Sequence, residues 1–149
     1  SNWETYTESS FQVRFPRDVT VEMRERDAVV LMKTGPTQRE STEIYDGIFI
    51  RFRKQEMPDM ELLDYVLSEV RETEEGEVGE IIKEPSQITI NGHQGYTHTV
   101  SGLGIHQHIY LQSPDQTTLV HIIDSTVDPD NRGYAQTVDE ILDTFEFTD

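Results

Sequence analysis

Hydrophobic positions recur along this chain at two spacings. In SSFQVRFP, Phe11, Val13 and Phe15 alternate with polar residues, the period of a strand with one buried face, and Pro16 ends it. Val19 and Val21 alternate with Thr20 and Glu22, while Ala28 to Met32 is a continuous apolar run, as expected of a strand covered on both faces. Arg24 to Asp27 reads as a charged turn between these two. Residues 34–44, TGPTQRESTEI, have no period and predict a loop. GIFIRFRK then sets Ile48, Ile50 and Phe52 on one face and Phe49, Arg51 and Arg53 on the other. The two arginines are either an anion-binding stripe or a solvated pair balanced by nearby carboxylates.

The spacing changes after Pro58 and Asp59, residues suited to the first turn of a helix. Leu63, Val66, Leu67 and Val70 predict a helix over about 59–72 with these four on its core face and Glu61, Asp64, Glu69 and Glu72 largely off it. The acidic TEEGEVGE that follows predicts a solvated connection, since it lacks the alternating ligands of a calcium loop. From Gly79, EIIKE with QITI, GYTHTVS, IHQHIYLQ and TTLVHIID predict strands in quick succession. Asn91-Gly92 is a two-residue hairpin signal, Gly102-Leu103 fits a II′ turn and Pro114-Asp115 a turn of the type I kind, so residues 87–124 predict an antiparallel meander. A last helix over about 130–145 follows Asp128-Pro129, with Tyr134, Val138, Ile141, Leu142 and Phe145 on one face, and FEF closes the chain as a short strand or tail. The order predicts an α+β fold: an antiparallel sheet with one helix on each face, in a single domain spanning 1–149.

Composition narrows the function classes. Asp and Glu number 29 against 12 Lys and Arg, a formal charge of −17. That excess disfavours nucleic acid and anionic membrane surfaces, whose affinity rests on cationic side chains. It suits solubility at high salt or a basic protein partner. There is no cysteine, which excludes disulfides, thiolate zinc sites and a cysteine nucleophile. No apolar stretch approaches the length of a signal peptide or a membrane span, so direct membrane insertion within this chain is not expected and the sequence reads as a trimmed or mature fragment.

All five histidines fall within residues 91–124. Pairing the strands through the two expected turns places Thr99 opposite His106, Thr97 opposite His108, His108 opposite His121 and His106 opposite Ile123. His106, His108 and His121 then share one sheet face and form a candidate metal site, with a pH-sensitive cluster and plain sheet histidines as the other readings. Tyr96, Val100, Ile105, Ile109, Leu111, Val120 and Ile122 would lie opposite, as the better core. His121, Asp124 and Ser125 invite a hydrolase triad, but neighbours on a strand point to opposite faces, and the chain has no GxSxG, P-loop, GxGxxG or HExxH motif. No enzyme and no cofactor is expected.

The segments WETYTESSFQVRFP, ITINGHQGYTHTV with IYLQ, and ILDTFEF together resemble the PsbP-like domain family, through its Tyr-x-Phe strand ending in Pro, its Ile-Asn-Gly turn leading to Gly-Tyr, and its terminal Phe-x-Phe pair. The resemblance implies an α/β/α sandwich and a non-catalytic role. PsbP-like proteins are extrinsic subunits or assembly factors of photosystem complexes or exported lipoproteins, and the fold also serves a Ran-binding nuclear transport factor and DcrB-like adaptors. Two expectations follow. The first is a non-enzymatic extracytoplasmic accessory or adaptor domain, exported or lipid-anchored by a segment missing here, that binds another protein. The second is a metal- or ligand-binding module using the histidine-bearing face, and a cytoplasmic location is the alternative to export.

Overall fold

The computed structural model describes residues 2–40 and 43–148. The first strands are β1 (Trp3–Thr7), β2 (Phe11–Pro16), β3 (Thr20–Glu25), β4 (Ala28–Thr34) and β5 (Gly47–Glu56). Helix α1 (Leu62–Gly76) leads into β6 (Glu80–Ile90), β7 (His93–Ser101), β8 (Ile105–Gln112) and β9 (Thr118–Asp124), and α2 (Tyr134–Leu142) precedes β10 (Glu146–Phe147). The fold is α+β. Seven strands form one antiparallel sheet in the order β3-β4-β5-β9-β8-β7-β6, and β1-β2-β10 form a second.

The meander expected over 87–124 is β6 to β9, side by side in chain order. Asn91 and Gly92, with φ of 47° and 82°, make the two-residue turn between β6 and β7, a conformation Asn tolerates and Gly adopts freely. Pro85 lies within β6, and the register with β7 shifts on either side of Lys83, so this edge strand is interrupted where a proline cannot extend a ladder.

One face of the large sheet holds the main core. Val29, Leu31, Ile48, Ile50, Phe52, Ile109, Leu111, Val120 and Ile122 are buried there against Phe11, Val13 and Phe15 of β2 and Tyr134, Val138, Ile141 and Leu142 of α2. Phe11, Phe52 and Phe145 stack with ring centroids 5.6 to 6.4 Å apart, which joins the two sheets and the C-terminal segment. The cover of this face is therefore a small sheet plus a helix, where the sequence predicts a helix alone.

Helix α1 covers the other face over β6, β7 and β8. It starts at Leu62 rather than near Asp59, and it takes in Glu74, Glu75 and Gly76 of the run expected to be a connection, ending where Glu77 turns left-handed at φ 53°. Its buried residues are Leu62, Val66 and Val70, whereas Leu63 and Leu67 are 38% and 40% exposed. The expected core stripe is thus rotated by one position. Tyr65 explains the rotation: its ring meets Tyr110 edge-on at 6.2 Å, and its hydroxyl accepts a hydrogen bond from Gln55 Nε2 (2.9 Å) and donates to Glu69 Oε1 (3.3 Å). Glu69, expected on the outer face, is drawn inward by that bond. Helix α2 starts four residues later than expected because the Asp128 carboxylate accepts bonds from the amides of Arg132, Gly133 and Tyr134, closing a loop in which Asn131 and Gly133 have positive φ.

Candidate functional site

Directly paired residues share a sheet face, so three rows cross the face beneath α1. Arg53, His121, Tyr110 and Tyr96 form one row, and Arg51, Ile123, His108 and His98 the next. Phe49, Ser125, His106 and Val100 complete a third: the Ser125 amide donates to the Phe49 carbonyl, Ser125 Oγ bonds His106, and His106 pairs with Val100.

His106, His108 and His121 do share this face, but their neighbours differ from those expected. The β7–β8 loop has three residues, Gly102, Leu103 and Gly104, rather than two, with Ser101 paired to Ile105. That one-residue difference exchanges the two sides of β7: Tyr96, His98 and Val100 join the histidines, and Thr97 and Thr99 turn to the opposite face. The β8–β9 register differs by two, which keeps the faces and replaces His108–His121 pairing by Tyr110–His121. The signal for the longer loop lies in the sequence, since Gly104 occupies a left-handed position (φ 102°) that a three-residue hairpin loop requires.

The result is a stack of rings. His98 and His108 lie 4.8 Å apart and nearly parallel, Tyr110 lies 4.3 Å from His121, and His98 is 5.4 Å from Tyr110. His98 Nε2 and the Tyr110 hydroxyl share a hydrogen bond of 2.9 Å, and His108 Nδ1 and His121 Nε2 another of 2.9 Å. His98 Nδ1 is buried with no partner among the described residues. Burial, reinforced by His98, His106 and Arg51, brings the His108 pKa down to about 4. Burial, then His108, Arg51, His98 and Arg53, brings His121 down to about 3, and burial lowers His98. Burial also pushes the Tyr110 phenol up, with Glu69 and Tyr65 adding to it. At neutral pH the stack is uncharged.

His106 stands apart from that stack. Its Nε2 donates to the carbonyls of Gly102 (3.0 Å) and Leu103 (3.2 Å), and since carbonyls only accept, Nε2 carries a proton. Its Nδ1 bonds Ser125 Oγ. Of the three candidate ligands, then, His108 and His121 meet each other and His106 is engaged elsewhere. Among the described residues no group of three or more His, Asp or Glu is arranged to hold a metal ion. The residues of the conceivable triad separate too: Ser125 bonds His106 rather than His121, and the Asp124 carboxylate accepts from the Thr126 amide on the opposite face. His93 lies at the far end of β7, edge-on to Phe145 and Phe147.

Two depressions flank the His106–Ser125 pair. One, of about 290 Å³, is lined by Glu43, Ile44, Phe49, Leu103, Ile105 and Val127 among others. The other, of about 370 Å³, opens between the end of α1 and the sheet and is lined by Phe49, Arg51, Val100, His108 and Ile123 together with Thr73, Val78 and the pair itself. Around the β7–β8 loop, Val78, Leu103 and Ile105 are 75%, 83% and 60% exposed. The backbone at Val78 lies beside this loop: a side chain at Gly102 would meet the Val78 carbonyl at 3.1 Å.

No family model and no curated protein matches this chain. Among solved structures it is similar to a protein from Bacteroides thetaiotaomicron VPI-5482, with a TM-score of 0.55 and 9% identity over 100% of this chain and 50% of that one. This chain spans about half the length of that relative, and the likeness is one of fold.

Proposed function

We propose that the chain is a non-enzymatic accessory or adaptor domain of the PsbP-like kind, working outside the cytoplasm, and that it binds another protein through the end of the sheet at the β7–β8 loop. The observation that supports this reading is the placing of Leu103. This apolar residue sits at a hairpin tip in the left-handed region (φ 46°), 83% exposed, with exposed Val78 and Ile105 beside it. A branched side chain in that conformation costs backbone strain, and large apolar side chains left exposed at the end of a sheet support an interaction surface. Glu77 and Glu80 lie one and two residues from Val78 in the chain and Glu43 lines the adjoining depression, so the complementary partner carries an apolar recess bordered by Lys or Arg.

A photo-crosslinking residue at position 103, introduced in the native host, tests the proposal. One discrete adduct is expected, competed by added wild-type chain and not by Leu103→Asp/Ile105→Asp. No adduct, or a smear that both competitors affect alike, removes the proposal.

A further inference from the structure

The 370 Å³ depression at the end of α1 has a feature that stands out in so acidic a chain. Of 149 residues 29 are Asp or Glu, and four other depressions are each lined by at least one: Glu43; Glu84 and Asp124; Glu61; Asp27 and Glu56. This one, among the described residues, is lined by none, and it has Arg51 in its wall.

Its chemistry divides into two parts. Phe49, Val78, Val100 and Ile123 supply apolar wall, and Arg51, His108 and Ser125 supply polar atoms. A guanidinium offers five donors in a plane, more than one partner within the protein uses, and the Arg51 side chain forms part of this wall. His108 shares its Nδ1 with His121 Nε2. When His121 is the donor in that bond, the proton of neutral His108 resides on Nε2, giving a second donor that needs no net charge. Ser125 Oγ is already bonded to His106, which holds that side of the cavity in place. An open depression with an apolar wall, a few donors and a guanidinium, and with no Asp or Glu among its described lining residues, suits a ligand that is part hydrocarbon and part anion.

We propose that this cavity binds a small organic carboxylate, its carboxylate on the Arg51 guanidinium and its hydrocarbon part against Phe49, Val100 and Ile123. This inference shares Val78 with the protein-docking reading but neither Leu103 nor Ile105, and the docking variants leave Arg51 in place, so each reading can fail without the other.

Calorimetric titration with benzoate, phenylacetate and butyrate, with benzyl alcohol as the uncharged counterpart, is the test. At least one carboxylate is expected to bind saturably and more tightly than the alcohol by about tenfold or more. Arg51→Gln is expected to abolish that binding, and Arg51→Lys, which keeps a charge but loses the planar fork, to retain part of it. In the wild-type protein, bound carboxylate should shift the methyl resonances of Val100 and Ile123 and leave those of Val138 and Ile141 in the opposite core unmoved, a readout that holds even if Arg51→Gln does not fold. Equal binding of benzyl alcohol, unchanged binding in a folded Arg51→Gln, shifts confined to other methyls, or no saturable binding by carboxylates of about four to ten carbons would each overturn the proposal.

Discussion

The two faces of the large sheet are built on opposite principles. On the face toward β2 and α2, the buried core residues of β4, β5, β8 and β9 are aliphatic or aromatic and the three-phenylalanine stack of Phe11, Phe52 and Phe145 joins two sheets. On the face toward α1, the same strands present Arg51, Arg53, His98, His108, His121 and Tyr110, and the buried apolar cluster there is the smaller one of Leu62, Val66, Tyr110 and Leu119. The first face is stable through burial, which pH hardly touches. The second loses stability when its imidazoles are protonated, because removing ionised groups from water without a counter-charge is costly.

Substitutions in the main core set the upper limit. Phe52→Ala should cost about 3–5 kcal/mol and Ile141→Ala about 2–5 kcal/mol, both measured by denaturant unfolding, since each leaves a cavity in close-packed surroundings. Beneath α1, Leu62→Ala should fall near the lower end, about 2 kcal/mol, because its cluster is small. Leu62→Ala exceeding Phe52→Ala would reverse the comparison.

Acid should act on the α1 face first. The folded-state pKa values of His98, His108 and His121 lie below the ordinary value near 6.5, so between roughly pH 6.5 and pH 4 the unfolded chain binds more protons than the folded one. Stability is then fully present above about pH 6.5 and lost as pH falls, by up to about 1.4 kcal/mol per pH unit for each group. Glu69 and Asp124, whose burial raises their pKa, act in the opposite sense, losing stability as pH rises through their folded values. Unfolding curves from pH 7 to 4 should therefore show a decline that His121→Leu makes shallower, while hydrogen exchange in α1 rises before that in α2. An unchanged slope in His121→Leu would mean that the stack is not the acid-sensitive element.

Smaller effects come from the surface. Raising sodium chloride from about 0.1 M to 1 M shortens the Debye length from about 10 Å to about 3 Å, and for a charge of −17 this should raise the thermal midpoint by about 2–4 °C, the equivalent of roughly 1 kcal/mol. A falling midpoint would show that the carboxylates are already compensated. Leu63→Ala, on the outer side of α1, should change stability by less than about 0.5 kcal/mol, in contrast with its neighbour Leu62. Micromolar zinc should leave the midpoint where it is, since His106 uses both ring nitrogens and His108 and His121 bond each other; a saturable rise lost in His108→Ala would favour the metal reading instead.

Local chemistry in the chain was enough for the strand periods of β2, β4 and β5, the Asn91-Gly92 turn, the meander and the α+β class, because alternation, glycine and proline act within a few residues of themselves. Three histidines on one face were equally legible, since a two-residue error in the β8–β9 register leaves the parity of side chains intact. What lay beyond local chemistry was decided by packing. A single extra residue in the Gly102–Gly104 loop brought His98 into the stack, and the rotation of α1 followed from a hydroxyl and a ring on Tyr65 finding Gln55, Glu69 and Tyr110, residues distant in the chain or hidden by the helix's own periodicity. Hydrophobic spacing alone gives a helix a face to within one position; only the surface it lands on chooses between Leu62 and Leu63, because the free energy of that choice belongs to contacts across the interface rather than to the sequence of either partner.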